Sequence, residues 1–389
     1  MAHTYKVISG DSHFESPPES WVHRIPKGYR DQASRRIKLA DGRDAVVSEN
    51  GITYGGTGLV GGKPHEKFNP AVLDYDNTPG SGGPEQRLRE QDQDGVDAEI
   101  IFGRGGGFRK DKNTHLALTR AFNDYLAEEY CSVNPDRLIS LGILPGIGID
   151  LDIAEMAHCA EMGLKGIWVP GFPNGKSFPV LDDDRFWATA VDMNMPVVIH
   201  TSFQGNVGAR NAAHLDYPTS PEGNLKPPVD YVQRMARNGT HHCGALEAVQ
   251  LAVSGVFERF PKLNVYWAEN NVGWLPYFYE QLDREYDTNR HWAEELMGVK
   301  PLPHKPSEYL KEHAYWGFFD DPIGMRLRHD VGVDHIMWSN DFPHEVSAWP
   351  NSMKALEDQT QDVPEDEMWK MLAGNAIDFF HLDHVPATA

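Results

Sequence analysis

Residues 7–13 have the sequence VISGDSH, and this stretch decides the fold. Its apolar start is typical of a short buried strand, and its end carries two ligand-type residues, Asp11 and His13. Because side chains alternate along a strand, residues two apart point to the same face, which in a barrel is the interior. Such a pair alone fits metal ligands, but it also fits a turn-forming aspartate and a surface histidine. Ligand-type residues at the ends of other strands would favour the first interpretation.

Seven more β-branched or apolar runs follow, separated by amphipathic stretches. The predicted strands cover residues 5–10, 97–102, 138–144, 164–169, 196–199, 263–268, 314–318 and 334–338. Helical patterns lie between them at 85–94, 114–133, 151–162, 183–193, 231–260, 274–292 and 321–330. This alternation predicts a parallel sheet that is either closed into a barrel or open and doubly wound.

The polar residues at the strand ends favour the closed form. His200 follows the run VVI at 197–199, and Asp341 stands at the matching point of the eighth strand. The carboxyl ends of all strands of a (β/α)8 barrel meet at one mouth, where active sites lie. We therefore predict an α/β protein whose residues 1–389 form one (β/α)8 (TIM) barrel domain.

Two stretches interrupt the alternation. Residues 36–83, rich in Gly, Asp and Pro, contain short β-like pieces and predict a small β-hairpin insertion after the first strand. Residues 201–228 are too long for an ordinary βα loop and predict a roof over the pocket. Residues 352–359 and 364–379 predict C-terminal helices that close the barrel bottom or pack on a neighbour.

Composition limits the partners of this chain. A hydrophobic fraction of 40% allows a large core. The formal charge of -21, from 36 Lys and Arg against 57 Asp and Glu, disfavours nucleic acid and anionic membrane surfaces. Three cysteines without a CxxC pair, no apolar leader and no run of about 18 apolar residues predict a cytoplasmic protein outside the membrane.

Carboxylates and imidazoles form a donor set at the predicted mouth. Asp11, His13, His200 and Asp341 are ligands that suit Zn, Fe or Mn rather than a thiolate-bound metal. Taken singly, His200 also fits a neutral buried histidine and Asp341 a helix cap. Together the four residues predict a site for one divalent transition metal.

Four motifs, in this order, resemble the amidohydrolase superfamily, and within it the amidohydrolase-2 group of aminocarboxymuconate-semialdehyde decarboxylase-like enzymes. They are DSHFESP at 11–17, VVIH at 197–200, FERFPKLNVYWAE at 257–269 followed by GW at 273–274, and WSNDFPH at 338–344. The resemblance extends from residue 11 to about residue 375. It implies a metal-dependent, homo-oligomeric barrel that catalyses hydrolysis or non-oxidative decarboxylation, with the four predicted ligands at the metal.

The sixth strand departs from the usual pattern of that family, because it ends in Glu269 where a histidine is common. If Val265, Trp267 and Glu269 share one strand face, Glu269 points into the barrel. There it would act as a general base, as a further ligand or as a ligand of a second metal. His344 is a second proton carrier, an additional ligand or an exposed loop histidine.

Four residues near predicted strand ends are candidate substrate contacts. The guanidinium of Arg104, after the second strand, suits a substrate carboxylate. Trp168, Phe203 and Trp316 suggest an apolar pocket for a ring or large acyl group, although core packing also explains each of them singly. The expected partner is a small organic acid or acyl compound.

Two reactions fit this scaffold, and we expect hydrolysis. Metal-activated water would cleave an amide, ester, thioester or lactone bond, with Asp341 or Glu269 as the general base. The alternative is non-oxidative decarboxylation of an aromatic or unsaturated carboxylic acid. A fixed anion at Glu269 would repel such a substrate near the metal, which favours hydrolysis. A barrel used only for binding is disfavoured because the whole ligand set is present.

Overall fold

The computed structural model describes residues 4–49, 51–54, 61–69, 72–103, 105, 107–201, 203 and 244–384. Eight parallel strands form a (β/α)8 barrel, as predicted. They are β1 (Ile8–His13), β2 (Ala98–Phe102), β3 (Leu138–Ser140 and Gly142–Ile143), β4 (Ile167–Trp168), β5 (Val197–His200), β6 (Val265–Ala268), β7 (Ala314–Phe318) and β8 (Ile336–Trp338).

The strands pair in chain order around the barrel, with two junctions outside the regular ladders. At Leu141 the third strand changes partner: the Leu141 amide donates to the Ile101 carbonyl at 3.3 Å, and the Gly142 amide donates to the Gly166 carbonyl at 2.9 Å. The seam between β8 and β1 is closed just beyond β8. There the Asp341 amide donates to the Asp11 carbonyl at 3.0 Å, and the His13 amide donates to the Phe342 carbonyl at 2.8 Å.

Helices surround the strands, and those expected within the described ranges are present. They are α1 (Pro84–Asp94), α2 (Lys112–Tyr125), α3 (Ile149–Glu161), α4 (Asp184–Asp192), α5 (Ala245–Val253), α6 (Val256–Arg259), α7 (Leu275–Met297), α8 (Pro306–His313), α9 (Pro322–Arg326), α10 (Arg328–Val331), α11 (Ser352–Thr360), α12 (Glu365–Trp369) and α13 (Asn375–Phe380). The sequence pattern does not predict α8. The proposed roof at 201–228 lies outside the described residues except for Thr201 and Phe203.

Apolar side chains form an inner layer inside the barrel and an outer layer between strands and helices. Val198, Tyr266 and Ala268 belong to the inner layer, whereas Trp267 and Trp316 belong to the outer one. Residues of α13, including Phe379 and Phe380, complete the inner layer from below, so the predicted closure of the barrel bottom is confirmed.

The insertion after β1 contains the predicted hairpin and one further strand. Arg35–Lys38, Asp44–Ser48 and Gly51–Thr53 form a three-stranded antiparallel sheet. The buried Asp44 carboxylate holds this sheet together, because the carboxylate accepts from Arg36 Nε and from the Tyr75 amide, both at 2.8 Å.

Among the described helices, none is long and apolar enough to span a membrane. That residues 1–389 form one domain stays a prediction.

Candidate metal centre

Five ligand-type side chains from four strand ends converge at the barrel mouth. His13 Nε2 lies 2.8 Å from Asp341 Oδ1 and 3.3 Å from Asp11 Oδ1. His200 Nε2 lies 3.3 Å from both Asp11 Oδ2 and His13 Nε2. Glu269 Oε2 lies 3.5 Å from His200 Nε2. The structure therefore brings together these five of the six residues that the sequence offers as ligands, and the sixth, His344, lies beside them.

Asp11 provides the test of whether a metal fits this cluster. Both of its carboxylate oxygens are buried and have no hydrogen bond of good geometry to a described residue, although two imidazole nitrogens lie within 3.3 Å. A buried carboxylate without such donors is costly unless a cation compensates its charge. Two imidazoles and two or three carboxylates form a donor set suited to a divalent transition metal. The residues present therefore fit such a metal.

Left-handed backbone at two strand ends brings the remaining carboxylates to the mouth. Glu269 has φ 57° and Asp341 has φ 48°, a conformation that residues other than glycine adopt rarely and mostly where the surroundings enforce it. Such backbone strain is concentrated at functional sites. The ends of β6 and β8 are therefore shaped for the cluster at some cost in backbone energy.

The expected common face of Val265, Trp267 and Glu269 is wrong. Val265 and Trp267 belong to the outer layer, and a strictly alternating strand would place Glu269 there as well. The left-handed turn at Glu269 ends the alternation and leads its carboxylate to His200. Glu269 thus reaches the cluster for a different reason from the one that the sequence suggested.

A buried polar network anchors the loop after β8. Asn340 Oδ1 accepts from Ser9 Oγ and Ser12 Oγ, each at 2.9 Å, and so joins β8 to β1. Arg87 donates to the Phe342 carbonyl at 3.0 Å and forms a buried ion pair with Glu99 at 2.6 Å. These contacts fix the backbone on both sides of Asp341.

His344 belongs to the site and is not an exposed loop histidine, because only 11% of its side chain is exposed. Its ring stacks on that of His13 with centroids 3.6 Å apart. Its Nδ1 lies 3.2 Å from Asp341 Oδ1, and its Nε2 lies 3.2 Å from Glu15 Oε1. Sequence reasoning missed Glu15, although its position two residues after His13 is the same spacing that pointed to His13 itself.

Burial and charge shift the pKa values of Glu269 and Asp341 in opposite directions. Burial and the charge of Asp341 raise the pKa of Glu269 to about 8. Burial also opposes ionisation of Asp341, but the charge of His344 and hydrogen bonds from His13 and His344 keep the pKa of Asp341 well below its usual range. Among the protein groups alone, Asp341 is therefore an anion at neutral pH, while Glu269 holds a proton.

The pKa values of His13 and His200 are also shifted in opposite directions. Burial, together with the charge of His344, lowers the pKa of His13, which favours the neutral form that binds metals. Burial lowers the pKa of His200 too, but Asp11 and Glu269 outweigh it and raise that pKa above the ordinary value. Protonation therefore competes with metal binding more strongly at His200 than at His13.

The predicted substrate contacts have separate locations. Trp168 is near the cluster, with its ring centroid 5.8 Å from that of His200. Phe102, which the sequence did not single out, is closer to His200, at 5.0 Å.

Phe203 and Trp316 pack away from the cluster. Phe203 packs on Phe172 at 4.6 Å within the outer layer. Trp316 is fully buried there and stacks on Trp267 at 5.0 Å, because its position in β7 faces the helices. The structure therefore does not bring Trp316 to the barrel mouth. Arg104 lies outside the described residues.

Fold and site together define an enzyme of the metal-dependent α/β-barrel class. The amidohydrolase family model matches residues 21–382, and the chain belongs to this family. The family expected from the four motifs is confirmed. The match begins after β1, so Asp11 and His13 are supported by their geometry in the cluster.

The curated relatives add the reaction that similar proteins catalyse. The chain is 28% identical to the decarboxylase orsB of Emericella nidulans over 58% of its own length and 65% of that protein. It is 25% identical to a gamma-resorcylate decarboxylase of Rhizobium sp., over 77% of this chain and 88% of the relative.

A solved 5-carboxyvanillate decarboxylase of Novosphingobium aromaticivorans, with bound manganese and 3-methoxy-4-hydroxy-5-nitrobenzoic acid, has the same fold. Its TM-score is 0.65 at 20% identity, and the match covers 98% of this chain and 100% of that one.

The expectation of hydrolysis is wrong, because the curated relatives are decarboxylases and support the alternative reaction. The error came from treating Glu269 as a fixed anion that repels a carboxylate substrate. In the folded protein, burial and Asp341 raise the pKa of Glu269 to about 8. The raised pKa weakens the argument that this carboxyl repels an anionic substrate.

Proposed function

We propose that this protein is a metal-dependent decarboxylase that removes carbon dioxide from an aromatic or unsaturated carboxylic acid without an oxidant. The observation that carries the proposal is the buried donor set at the barrel mouth with the partly exposed Glu269 carboxyl at its edge, 3.5 Å from His200 Nε2. The reactions of the named relatives support it.

Asp11, His13, His200 and Asp341 would hold the metal, with manganese, zinc and iron as the candidates. The bound cation supplies positive charge that attracts the substrate carboxylate and a neighbouring oxygen. Asp341 suits a ligand role because His13 and His344 hold it as an anion. We assign one metal to these four residues and leave Glu269 for another task.

Glu269 is the proposed proton donor. Loss of carbon dioxide breaks the bond between the carboxyl group and its carbon, and the electron pair stays on that carbon. This carbon then takes a proton, which the Glu269 carboxyl supplies as a general acid. Because 22% of its side chain is exposed, Glu269 can recover a proton from water before the next turnover.

Phe102 and Trp168 would form the apolar wall of the substrate site. Both belong to the inner layer, and both rings lie beside His200. A flat apolar wall favours an aromatic substrate over a flexible acyl chain. It also keeps water away from the carbon that receives the proton.

Two further expectations from the sequence stay predictions. We infer a homo-oligomer, which light scattering of the purified protein would measure. We also infer a cytoplasmic location, which fractionation of the source cells would test.

A panel of hydroxybenzoic acids tests the proposal. The manganese-loaded protein is incubated with each acid, and carbon dioxide and the remaining acid are measured together. We expect at least one acid to disappear with an equal amount of carbon dioxide formed, and the Asp11→Asn variant to release none. If no acid yields carbon dioxide while a parallel panel of esters and amides is cleaved, the proposal is overturned.

A further inference from the structure

The turn after β6 contains a fully buried asparagine, Asn270, directly after the carboxyl that we assign as the proton donor. Its Nδ2 donates to the Ala268 carbonyl at 2.7 Å and to the Thr201 carbonyl at 3.3 Å. Its Oδ1 accepts from the amide of Gly244, the residue before α5, at 2.9 Å. One side chain therefore joins the ends of β5 and β6 to the start of a helix.

The backbone of Asn270 is held as well. Its amide donates to the Gly317 carbonyl of β7 at 3.2 Å, and its carbonyl accepts from Trp274 Nε1 at 3.0 Å. Every polar group of Asn270 thus has a partner, as a buried amide side chain requires. A residue with this many contacts has little freedom to move.

Left-handed backbone lies on both sides of the Asn270 side chain. Thr201, the residue after His200, has φ 52°, and Glu269 has φ 57°. A β-branched residue is a clear outlier in this region, and strained backbone persists only where its surroundings enforce it. Asn270 Nδ2 binds the carbonyl of Thr201 and the carbonyl of Ala268, the residue before Glu269. The same group therefore stabilises both strained positions.

A close approach of α5 to β6 completes this arrangement. A Cβ at Gly244 would lie 2.3 Å from Trp267 Cδ1 and 3.1 Å from Asn270 Oδ1, so a larger residue would push these side chains away. Because Gly244 has no side chain, its amide can reach Asn270. The contact fixes the Asn270 side chain from the side of the helices.

We propose that Asn270 is a positioning residue for Glu269, which it holds beside His200 at 3.5 Å in the orientation that proton transfer needs. The inference rests on the proposed function and extends it by one residue that acts through Glu269. A general acid has to lie within hydrogen-bond reach of the atom that receives its proton, and a displacement of about 1 Å can lower the rate by roughly 100-fold.

A double-mutant cycle tests this dependence. Asn270→Ala is made in the wild type and in Glu269→Gln, and kcat and KM are measured for an acid that the manganese-loaded protein consumes. In the wild type we expect kcat to fall roughly 10- to 100-fold while KM changes less than about twofold. In Glu269→Gln the same substitution should lower kcat less than about threefold, because no proton donor is left to misplace.

Asn375→Ala is the matched control. Asn375 is also buried, and its Nδ2 donates to the carbonyls of Val333 and Ile336 at 2.8 and 2.7 Å, at the opposite end of the barrel. This variant should lower the melting temperature without changing kcat. Asn270→Ser, which keeps a polar group in the turn, enters the same cycle if Asn270→Ala does not fold.

Three results would overturn the positioning role. The first is an equal loss of kcat from Asn270→Ala in both backgrounds, and the second is an equal loss of kcat in Asn375→Ala. The third is loss of bound manganese in Asn270→Ala, which would show that Asn270 acts through His200.

A crystal structure of manganese-loaded Asn270→Ala adds a readout that does not depend on activity. We expect the Glu269 carboxyl to leave its wild-type place or to occupy more than one rotamer. A carboxyl that keeps its wild-type place would contradict the proposal.

The two proposals fail in different ways. If the protein cleaves esters or amides and releases no carbon dioxide, the cycle is run on that reaction. Coupling between Asn270 and Glu269 then supports the positioning role and removes the decarboxylase. Carbon dioxide release without this coupling supports the decarboxylase and removes the positioning role.

Discussion

The two sides of the metal cluster are built differently. On the β1 and β8 side, Asp11, His13 and Asp341 are joined by backbone hydrogen bonds across the barrel seam, and a buried polar network lies beneath them. On the β5 and β6 side, His200 and Glu269 meet at 3.5 Å, and Glu269 keeps 22% of its side chain exposed. We infer that the first side fixes the metal, while the second presents a carboxyl that can exchange its proton with water.

We expect the largest effect from a substitution on the β1 and β8 side of the cluster, which we call the fixed side. Asp341→Ala removes an anionic ligand at the barrel seam, and we expect metal affinity to fall by more than the roughly 10- to 100-fold typical of losing a supporting contact. Activity should fall below detection. Elemental analysis after dialysis measures the metal, with circular dichroism as the control for folding. A full metal content in folded Asp341→Ala would remove Asp341 from the ligand set.

We expect a smaller effect from a substitution on the β5 and β6 side of the cluster. Glu269→Gln keeps the size of the side chain but removes the transferable proton, so kcat should fall by roughly 10²- to 10⁴-fold, as for a lost general acid. Bound metal should stay at the wild-type level, since the fixed side is intact. Metal content and kcat are measured on the same preparation. Loss of metal in step with activity would make Glu269 a ligand instead of the proton donor.

The contact between Glu15 and His344 sharpens the comparison further. Glu15→Gln removes the charged partner of His344 Nε2, 3.2 Å away, and loosens the ring that supports Asp341. We expect kcat to fall roughly tenfold with KM nearly unchanged, and Glu15→Asp to restore part of it. Glu19→Gln is the control, because Glu19 pairs with Arg36 at the surface. Equal effects of both variants would show that Glu15 has no special role.

The smallest effect concerns a buried carboxyl outside the cluster. Burial raises the pKa of Asp152 in α3 to about 7, and it accepts from the Gly146 amide at 2.8 Å. Because the folded state favours the protonated form, the free energy of unfolding should decrease as pH rises from about 4 towards 7. Asp152→Asn keeps an acceptor and removes this dependence.

The advantage of Asp152→Asn over the wild type should grow by about 2 kcal/mol between pH 5 and pH 8, measured by urea unfolding. Activity should not change. A constant difference at both pH values would contradict the raised pKa of Asp152. The burial that costs stability at Asp152 is also the first cause of the raised pKa of Glu269.

The fold could be predicted from the sequence because each barrel strand is a short apolar run, and because Asp11, His13, His200 and Asp341 follow three of these runs. The position of Trp316 could not, since a run buried on both faces does not reveal which side chains face the helices. The direction of the Glu269 side chain also could not be predicted, because the left-handed φ of 57° at this residue interrupts the alternation of side chains along the strand.

The reaction itself could not be predicted reliably from residue types. Hydrolysis and decarboxylation use the same donor set, and in the mechanism that we propose they differ in whether Glu269 is an anion or an acid. That state depends on burial and on Asp341, 72 positions along the chain but adjacent in the folded cluster. The decarboxylase relatives and the folded surroundings of Glu269 together supply this information.

Isotope labelling tests the decarboxylase most directly. An acid consumed by the manganese-loaded protein is prepared with ¹³C in its carboxyl group, and the reaction is run in D₂O and followed by NMR. We predict one labelled carbon dioxide for each molecule consumed and one deuterium on the carbon that carried the carboxyl group. Retention of the labelled carbon in the product, with cleavage at another bond by water, would contradict decarboxylation.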